Sequence, residues 1–330
     1  MSRDRVIPDR ILMVRMSAMG DIVHTLPCAA TLRRGFPNAE IDWLVEERWS
    51  GLLDGNPHVT QVQTVQRRDW SDLVGVIARL RQRRYDCALD FQGLIKSAAI
   101  AKACGVKELV GFETDALREK LAAAAYNRQV NVAANAHVVE KNLALAQSTG
   151  VDEAVLDFVL PAGTDSRPFE GKYLTVSPSA GWQAKRWPLE NYAELAARVH
   201  AEIGWPVAIN LGPGEDALAQ PIIDKMPAGR AKVVQGDIPT LIGLVRGSAA
   251  FVAGDTGPLH IAAAVGTPVV AIFGATDPQR NGPYSPHCSK RTRVVRAADV
   301  ETTYSRSASD EGVARVSVDD VFRALTGVIS

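Results

Sequence analysis

A carboxylate follows closely on an apolar segment near the start of the chain. Residues 11–14 (ILMV) are typical of a buried β-strand, and the turn MSAMGD that follows soon after ends in Asp21. Gly20 is free to take the positive φ of a tight turn, which would place Asp21 at or near a helix N-terminus, where the helix dipole stabilises negative charge. Such a carboxylate is either a helix cap or a general base that faces a ligand, and capping leaves Ser17 unexplained.

The segment GDTGP, residues 254–258, indicates a different chemistry. It follows the apolar run AAFVAG and opens a helix, so the amides around Thr256 and Gly257 lie at the positive end of that helix. A helix N-terminus of this kind binds phosphate groups. His260 lies one turn beyond Thr256 and shares its face. A capping role for Asp255 would not require that histidine, so the segment predicts a diphosphate site.

Two other turns in the C-terminal half suit the same ligand. After the apolar run YLTVS, the small residues Ser179 and Gly181 let the backbone approach a ligand, and Lys185 can place its charge on a phosphate. In NLGPGED, Glu215 is placed to contact a ribose or a base. A solvated lysine and a capped helix start are the alternative interpretations of these two turns.

Polar residues also follow strands in the N-terminal half. Gln92 and Lys96 belong to DFQGLIKSA, where a strand ends and a helix begins, and they are available to a polar ligand unless they form a buried turn. Arg67 and Arg68 follow the strand in VQRRDW. They are surface arginines unless the ligand is anionic.

Several classes of function lack their signatures. The chain has no GxxxxGK[ST] loop, HExxH motif or GxSxG elbow, no DxD pair at a strand end to hold a divalent metal, and no GxGxxG after its first strand. A formal net charge of zero argues against a nucleic-acid partner. The four cysteines show no CxxC spacing, which suits a reducing compartment.

The strands and helices that must position these residues alternate regularly along the sequence. Short apolar runs alternate with helical patterns, which predicts an α/β fold with parallel sheets. Strands are predicted at ILMVR, EIDWLV, VTQVQTV, CALDF and ELVGF, and in the second half at YLTVS, PVAINL, AKVVQ, AAFVAG and PVVAIFG. Residues 151–170 interrupt this alternation and are predicted to be a linker. A chain of 330 residues also exceeds the size of about 250 to 300 residues at which a single hydrophobic core stops growing. We therefore expect two Rossmann-like domains facing a cleft, with ligands at the carboxyl ends of the strands.

The composition, 46% hydrophobic and 22% charged residues, is that of an ordinary globular protein. The charged start MSRDRVIPDR is unlike a secretory signal, and no apolar run approaches the ~20 residues that span a bilayer. The sequence predicts a cytoplasmic protein whose membrane contact is at most peripheral.

Four segments together resemble a known family: ILMVRMSAMGDIVHTLP, DFQGLIKSA, AKRWPLENYAELA and GDTGPLHIAAAVGTPVVAIFGATDP. In content and order they are similar to the bacterial ADP-heptose:lipopolysaccharide heptosyltransferases of glycosyltransferase family 9. Within that family, AYNRQV, AHVVEKNLALA and DFQGLIKSA most resemble heptosyltransferase I, which adds the first heptose to the Kdo residue of the inner core.

The resemblance implies a GT-B fold, with two Rossmann-like domains and a cleft between them. An acceptor domain would span residues 1–160 and a donor domain residues 161–330, with a last helix at about 316–328 that packs back on the first domain. The implied catalytic residues are Asp21 as general base and Lys185 as the pyrophosphate lysine. The donor would be bound by Ser179, Gly181, Lys185, Glu215, Asp255, Thr256, Gly257 and His260. Candidates for the acceptor are Ser17, Gly20, Arg67, Arg68, Gln92 and Lys96.

The implied reaction is an inverting transfer of heptose from ADP-L-glycero-D-manno-heptose to the Kdo of Kdo2-lipid A, with no cofactor and no metal. The implied protein is a monomer on the cytoplasmic face of the inner membrane of a Gram-negative bacterium, with no nucleic-acid partner. Alternatives are a transferase of another sugar nucleotide, a later core heptosyltransferase, a sugar-nucleotide epimerase of the same fold, and a non-catalytic nucleotide-sugar binding protein. A dehydrogenase is disfavoured by the absent glycine motif. Residues 298–312 match no family motif and are candidates for shaping the acceptor side.

Overall fold

The structure, a computed structural model, describes residues 8–66, 70–303 and 311–330. The chain divides into two compact units, Met1–Pro161 and Ala162–Ser330. The division lies inside residues 151–170, where proline, glycine and short polar residues interrupt the alternation of strands and helices.

The first unit is built on a parallel sheet. Its strands are β1 (Arg10–Val14), β2 (Glu40–Glu46), β3 (Gln61–Val65), β4 (Cys87–Asp90), β5 (Glu108–Phe112) and β6 (Arg128–Val130). They lie in the order β3-β2-β1-β4-β5-β6, and every neighbouring pair is parallel. The central strands β1 and β4 are almost entirely buried, as expected for parallel strands that are covered on both faces.

Helices connect these strands. They are α1 (Met19–Val23), α2 (Leu26–Gly35), α3 (Trp70–Arg83), α4 (Ile95–Ala103) and α5 (Val138–Gln147), with 3-10 turns at Glu47–Leu52, Thr114–Ala116 and Lys120–Ala125. Pro27 explains why two helices follow β1. Proline has no N–H to donate and fits only a first turn, so a new helix begins at Leu26 instead of α1 continuing.

The second unit repeats the arrangement. Its strands are β7 (Leu174–Ser177), β8 (Val207–Leu211), β9 (Ala231–Gln235), β10 (Ala250–Gly254), β11 (Val269–Phe273) and β12 (Thr292–Arg296). Their order is β12-β11-β10-β7-β8-β9, again with parallel neighbours. The helices are α6 (Leu189–Ile203), α7 (Gln220–Lys225), α8 (Ile238–Gly247), α9 (Gly257–Ala264), α10 (Pro278–Asn281), α11 (Cys288–Arg291), α12 (Glu311–Ala314) and α13 (Val318–Ile329). Shorter 3-10 turns lie at Gln183–Lys185 and Asp216–Leu218.

Numbered within its own unit, each sheet has the strand order 3-2-1-4-5-6, the doubly wound order in which ligands bind at the carboxyl ends of the strands where the order reverses. That switch point lies between β1 and β4 in the first unit and between β7 and β10 in the second. The predicted α/β class with parallel sheets is therefore confirmed.

The C-terminal helix α13 belongs to the core of the second unit. Ser317 caps it, and its apolar face, with Val321 and Leu325 fully buried, packs with α6, β11 and β12. That this helix also packs on the first unit stays a prediction. In the described part of the chain, no helix is both long enough and apolar enough to cross a membrane.

Candidate functional site

Asp21 lies just beyond the carboxyl end of β1, at the switch point of the first unit. It is the third residue of α1 and Ala18 is the N-cap residue, so Asp21 is not the N-cap itself but caps the helix from its third position. Its Oδ2 accepts a hydrogen bond of 3.2 Å from the Ala18 N–H, and its Oδ1 lies 2.8 Å from Nη2 of Arg15. With 45% of its side-chain surface exposed, the carboxylate is held in place and is still open to a ligand.

Arg15 links Asp21 to the neighbouring strand of the switch point. It follows β1 directly, and its side chain is 8% exposed. Its Nη1 donates to the backbone oxygen of Phe91, the residue after β4. The Met16 N–H donates to Oε1 of Gln92 at 2.7 Å. The loops that follow β1 and β4 are thus joined by a side chain from each.

A buried carboxylate fixes the second of these loops. Asp90, the last residue of β4, is fully buried and accepts hydrogen bonds from the hydroxyls of Ser97 and Tyr126, both at 2.9 Å. The backbone N–H groups of Gln92 and Gly93 also donate to it. Burial raises the pKa of Asp90, although these hydrogen bonds oppose the shift. Through its four hydrogen bonds, the Asp90 carboxylate anchors the turn that carries Gln92.

The other acceptor candidates differ in their placement. Ser17 is half-buried in the turn that carries Asp21, and Lys96 is exposed in the first turn of α4. The predicted positive φ of Gly20 is wrong, because Gly20 lies inside α1 and is not among the glycines with positive φ. Arg67 and Arg68 lie outside the described residues.

In the second unit, Lys185 ends a 3-10 turn beyond β7 and lies at the switch point with β10. Its Nζ is 2.5 Å from Oδ2 of Asp255, the residue after β10, and 4.9 Å from the ring centre of Trp182. The lysine side chain keeps 18% of its surface exposed. A carboxylate and an aromatic face thus hold the ammonium group at one place, with one side of it open.

Asp255 is the centre of a polar cluster at this edge. Besides Lys185, Nε2 of His260 lies 3.3 Å from its Oδ1, and the hydroxyl of Thr276 donates to its Oδ2 at 3.0 Å. Burial favours the neutral acid, but the hydrogen bond from His260 and the charge of Lys185 outweigh burial and hold the pKa of Asp255 at about 2. The carboxylate is therefore ionised at neutral pH and occupied by its protein partners.

The helix α9 opens beside this cluster. Thr256 is its N-cap residue in an extended conformation, and Pro258 occupies its first turn. The hydroxyl oxygen of Thr256 is buried, and among the described residues it has no hydrogen-bond partner. An N-terminus with open amides and an unpaired hydroxyl has the donors that a phosphate group needs.

Glu215 also lies beyond a strand end, the end of β8. Its Oε1 accepts a hydrogen bond of 2.5 Å from Ser179, and its Oε2 accepts one of 2.7 Å from the Gly212 N–H. The structure thus brings two of the predicted donor residues into contact across the ends of β7 and β8. Gly181 is exposed, with open space where a side chain would be.

Two glycines explain how the turn that carries Lys185 comes so close to the sheet. A Cβ atom at Gly254, the last residue of β10, would lie 2.5 Å from the Lys185 backbone oxygen. One at Gly274, which follows β11, would lie 2.9 Å from the Ala184 oxygen. The turn packs directly on the carboxyl ends of β10 and β11, and that contact requires both glycines.

Four residues of these clusters were not predicted from the sequence: Arg15, Asp90, Trp182 and Thr276. A weak signal exists for Asp90 and Arg15, because each is a charged residue at or next to the end of an otherwise apolar strand. For a metal, the described parts of the chain contain no group of three or more His, Cys, Asp or Glu residues that could hold one.

Comparison with known proteins agrees with this architecture. The sequence profile of glycosyltransferase family 9 (heptosyltransferase) matches residues 74–307. Lipopolysaccharide heptosyltransferase 1 of Pseudomonas aeruginosa is 33% identical over 293 residues, which are 83% of this chain and 81% of that protein. The enzyme of the same name from Escherichia coli K12 is 31% identical over 313 residues, 87% and 93% of the two chains. The solved structure "E. coli heptosyltransferase WaaC with ADP" has a TM-score of 0.79 at 25% identity and covers 96% of this chain and 99% of its own.

Two doubly wound units, each with polar residues gathered at its switch point, are the components of a GT-B glycosyltransferase, and the predicted GT-B class is confirmed. The chain belongs to glycosyltransferase family 9, the heptosyltransferase family. It is a glycosyltransferase that transfers heptose in the biosynthesis of the lipopolysaccharide core.

Proposed function

We propose that the protein transfers heptose from ADP-L-glycero-D-manno-heptose to the Kdo residue of Kdo2-lipid A, with inversion and without a metal. It acts as a monomer on the cytoplasmic face of the inner membrane of a Gram-negative bacterium. The first unit binds the acceptor and the second unit binds the donor. The observation that carries the proposal is Asp21, an accessible carboxylate fixed at the switch point of a unit whose sequence has no phosphate-binding glycine loop.

On the donor side, the diphosphate lies against the N-terminus of α9 and Lys185. The amides of α9, the hydroxyl of Thr256 and the ammonium of Lys185 stabilise the negative charge that builds on the departing ADP. This is the charge that a metal neutralises in other transferases, so none is required. The carboxylate of Asp255 is already bonded to Lys185 and His260, so it positions these two side chains and does not contact the donor itself. Glu215, held by Gly212, faces the nucleoside with Ser179.

On the acceptor side, Asp21 accepts the proton of the attacking hydroxyl. The hydroxyl oxygen forms a bond to the anomeric carbon as the bond from that carbon to the ADP oxygen breaks, and ADP leaves with the electron pair. One displacement inverts the configuration. Arg67, Arg68 and Lys96 bind the anionic groups of the acceptor.

The experiment is a comparison of two variants. Asp21→Asn keeps the size of the side chain but is a far weaker base, so kcat should fall at least ~10²-fold while ADP affinity, measured by calorimetry, stays as in the wild type. Lys185→Ala should weaken ADP binding and slow transfer together. Near-normal turnover of Asp21→Asn would refute the assignment of the base.

The acceptor and the metal are tested in the same assay of ADP release. Kdo2-lipid A should support turnover, and an acceptor that already carries the first heptose should not. Excess EDTA should leave the rate unchanged. Loss of activity in EDTA that Mg²⁺ restores would overturn the metal-independent mechanism, and preference for the heptosylated acceptor would identify a later core enzyme.

A further inference from the structure

The arginine that follows β1 makes two contacts of different kinds. Nη2 of Arg15 lies 2.8 Å from Oδ1 of Asp21, and Nη1 donates to the carbonyl oxygen of Phe91. The arginine side chain is 8% exposed, whereas the aspartate side chain is 45% exposed. One guanidinium therefore joins the backbone of the loop after β4, at the buried Phe91, to the half-exposed carboxylate of the proposed base.

We infer that Arg15 is the positioning residue of the reaction: it fixes Asp21 in the orientation in which it accepts the acceptor's proton. The inference rests on the proposed role of Asp21. Within its own helix of five residues, the carboxylate of Asp21 accepts one hydrogen bond, 3.2 Å from the Ala18 N–H, and Arg15 supplies its charged partner. The planar guanidinium reaches both partners at once, which a single-point cation cannot do.

The loop at the other end of Arg15 is itself well anchored. Asp90 holds the N–H groups of Gln92 and Gly93, and Gln92 accepts a hydrogen bond from Met16. The guanidinium thus connects Asp21 to a loop fixed from the interior of the sheet. A catalytic group held in this way is already ordered before the substrate binds. Its placement matters, because a displacement of about 1 Å can lower the rate on the order of 10²-fold.

The polar contacts of Arg15 are made by its two Nη atoms. The Nε of Arg15 is buried, and within residues 8–66, 70–303 and 311–330 it has no hydrogen-bond partner. The placement of the guanidinium is therefore set by its two Nη contacts, to Phe91 and to Asp21. Only the contact with Asp21 is to a charged group, and it compensates for the burial of the cation.

A double-mutant cycle tests the inference. Arg15→Met removes the charge and both bonds and should lower kcat about 10- to 100-fold, with the KM for ADP-heptose changed less than about 2-fold. On an Asp21→Asn background the same substitution should cost less than about 3-fold, because the group it orients is already lost. Arg15→Lys keeps the charge but reaches one partner, so its kcat should be intermediate.

A matched control is Arg33→Met. Arg33 lies in the same unit and donates to the carbonyl oxygens of Pro37 and Ala39, so its loss should change the unfolding temperature but not kcat. Equal losses of kcat from Arg15→Met in both backgrounds, or no loss in either, would overturn the inference. If Asp21→Asn itself turns over normally, the proposed base fails and the inference fails with it. If Arg15→Met does not fold, the cycle is measured with Arg15→Lys, and the same non-additivity decides.

Discussion

At the scale of single residues, the proposed donor side is organised around a carboxylate that does not face solvent. Asp255 has 6% of its side-chain surface exposed, yet its pKa is held at about 2 because Lys185 and His260 favour its charged form over the neutral form that burial favours. A depressed folded-state pKa stabilises the protein above the pKa of the unfolded state, and this stabilisation is lost as the pH falls through the folded value.

Asp255→Asn should therefore destabilise the protein in a pH-dependent manner. A shift from the ordinary 3.8 to about 2 corresponds to on the order of 2 kcal/mol at pH 7, and about half of that difference should remain at pH 3. The measurement is the free energy of unfolding in urea at both pH values. The exposed Asp224→Asn, in the same unit, should change this energy by less than about 0.5 kcal/mol at either pH. A difference for Asp255→Asn that is the same at pH 7 and pH 3 would contradict the cause assigned to the shift.

The sequence predicts the chemistry of individual residues better than their partners. Asp21 and Lys185 could be selected because each lies in a turn after a strand, which local sequence reveals. The bond from Arg15 to Phe91 spans 76 residues, and the bond from Lys185 to Asp255 spans 70. Such contacts follow from strand order, so a single sequence without the fold gives no indication of them.

At the scale of elements, the decisive feature of the proposed donor side is the close approach of the Lys185 turn to the ends of β10 and β11. Gly254 and Gly274 leave room for the backbone oxygens of Lys185 and Ala184. The strands were predictable where they form apolar runs. The edge strands β6 and β12 were not, since β6 has three residues and β12 has only two valines, which lie between arginines.

Gly254→Ala should displace the turn that carries Lys185. The added Cβ would lie 2.5 Å from the Lys185 backbone oxygen, and backbone cannot yield as a flexible side chain can. We expect ADP affinity to fall at least about 10-fold, with a loss of stability of about 1–3 kcal/mol from overpacking. Calorimetry with ADP and thermal unfolding measure the two effects.

The matched control is Gly327→Ala in α13, where nothing lies within 4 Å of the added Cβ. Because alanine is the better helix former, this variant should keep full ADP affinity and be no less stable than the wild type. Gly181→Ala also meets open space, so an effect of that variant on ADP binding alone would place Gly181 against the ligand. Unchanged ADP binding in Gly254→Ala would refute the link between the glycine and Lys185.

At the scale of the whole molecule, each unit completes its own sheet. Every strand pair of the second unit joins residues between Leu174 and Arg296, and a large apolar core cluster of that unit draws only on residues from Leu174 to Val328. The proposed donor residues, from Ser179 to His260, fall within the same limits. A domain with its own sheet and core can fold alone.

We therefore expect residues 162–330, expressed alone, to fold and to bind ADP within about 10-fold of the affinity of the whole chain, because the proposed phosphate-binding residues and Glu215 are all retained. The fragment should release no ADP from ADP-heptose in the presence of acceptor, because it lacks Asp21. Calorimetry measures binding, and Lys185→Ala in the fragment should weaken it as in the full chain. A folded fragment that does not bind ADP, while the full chain does, would show that the first unit supplies donor contacts. That result would refute the proposal that the second unit alone binds the donor.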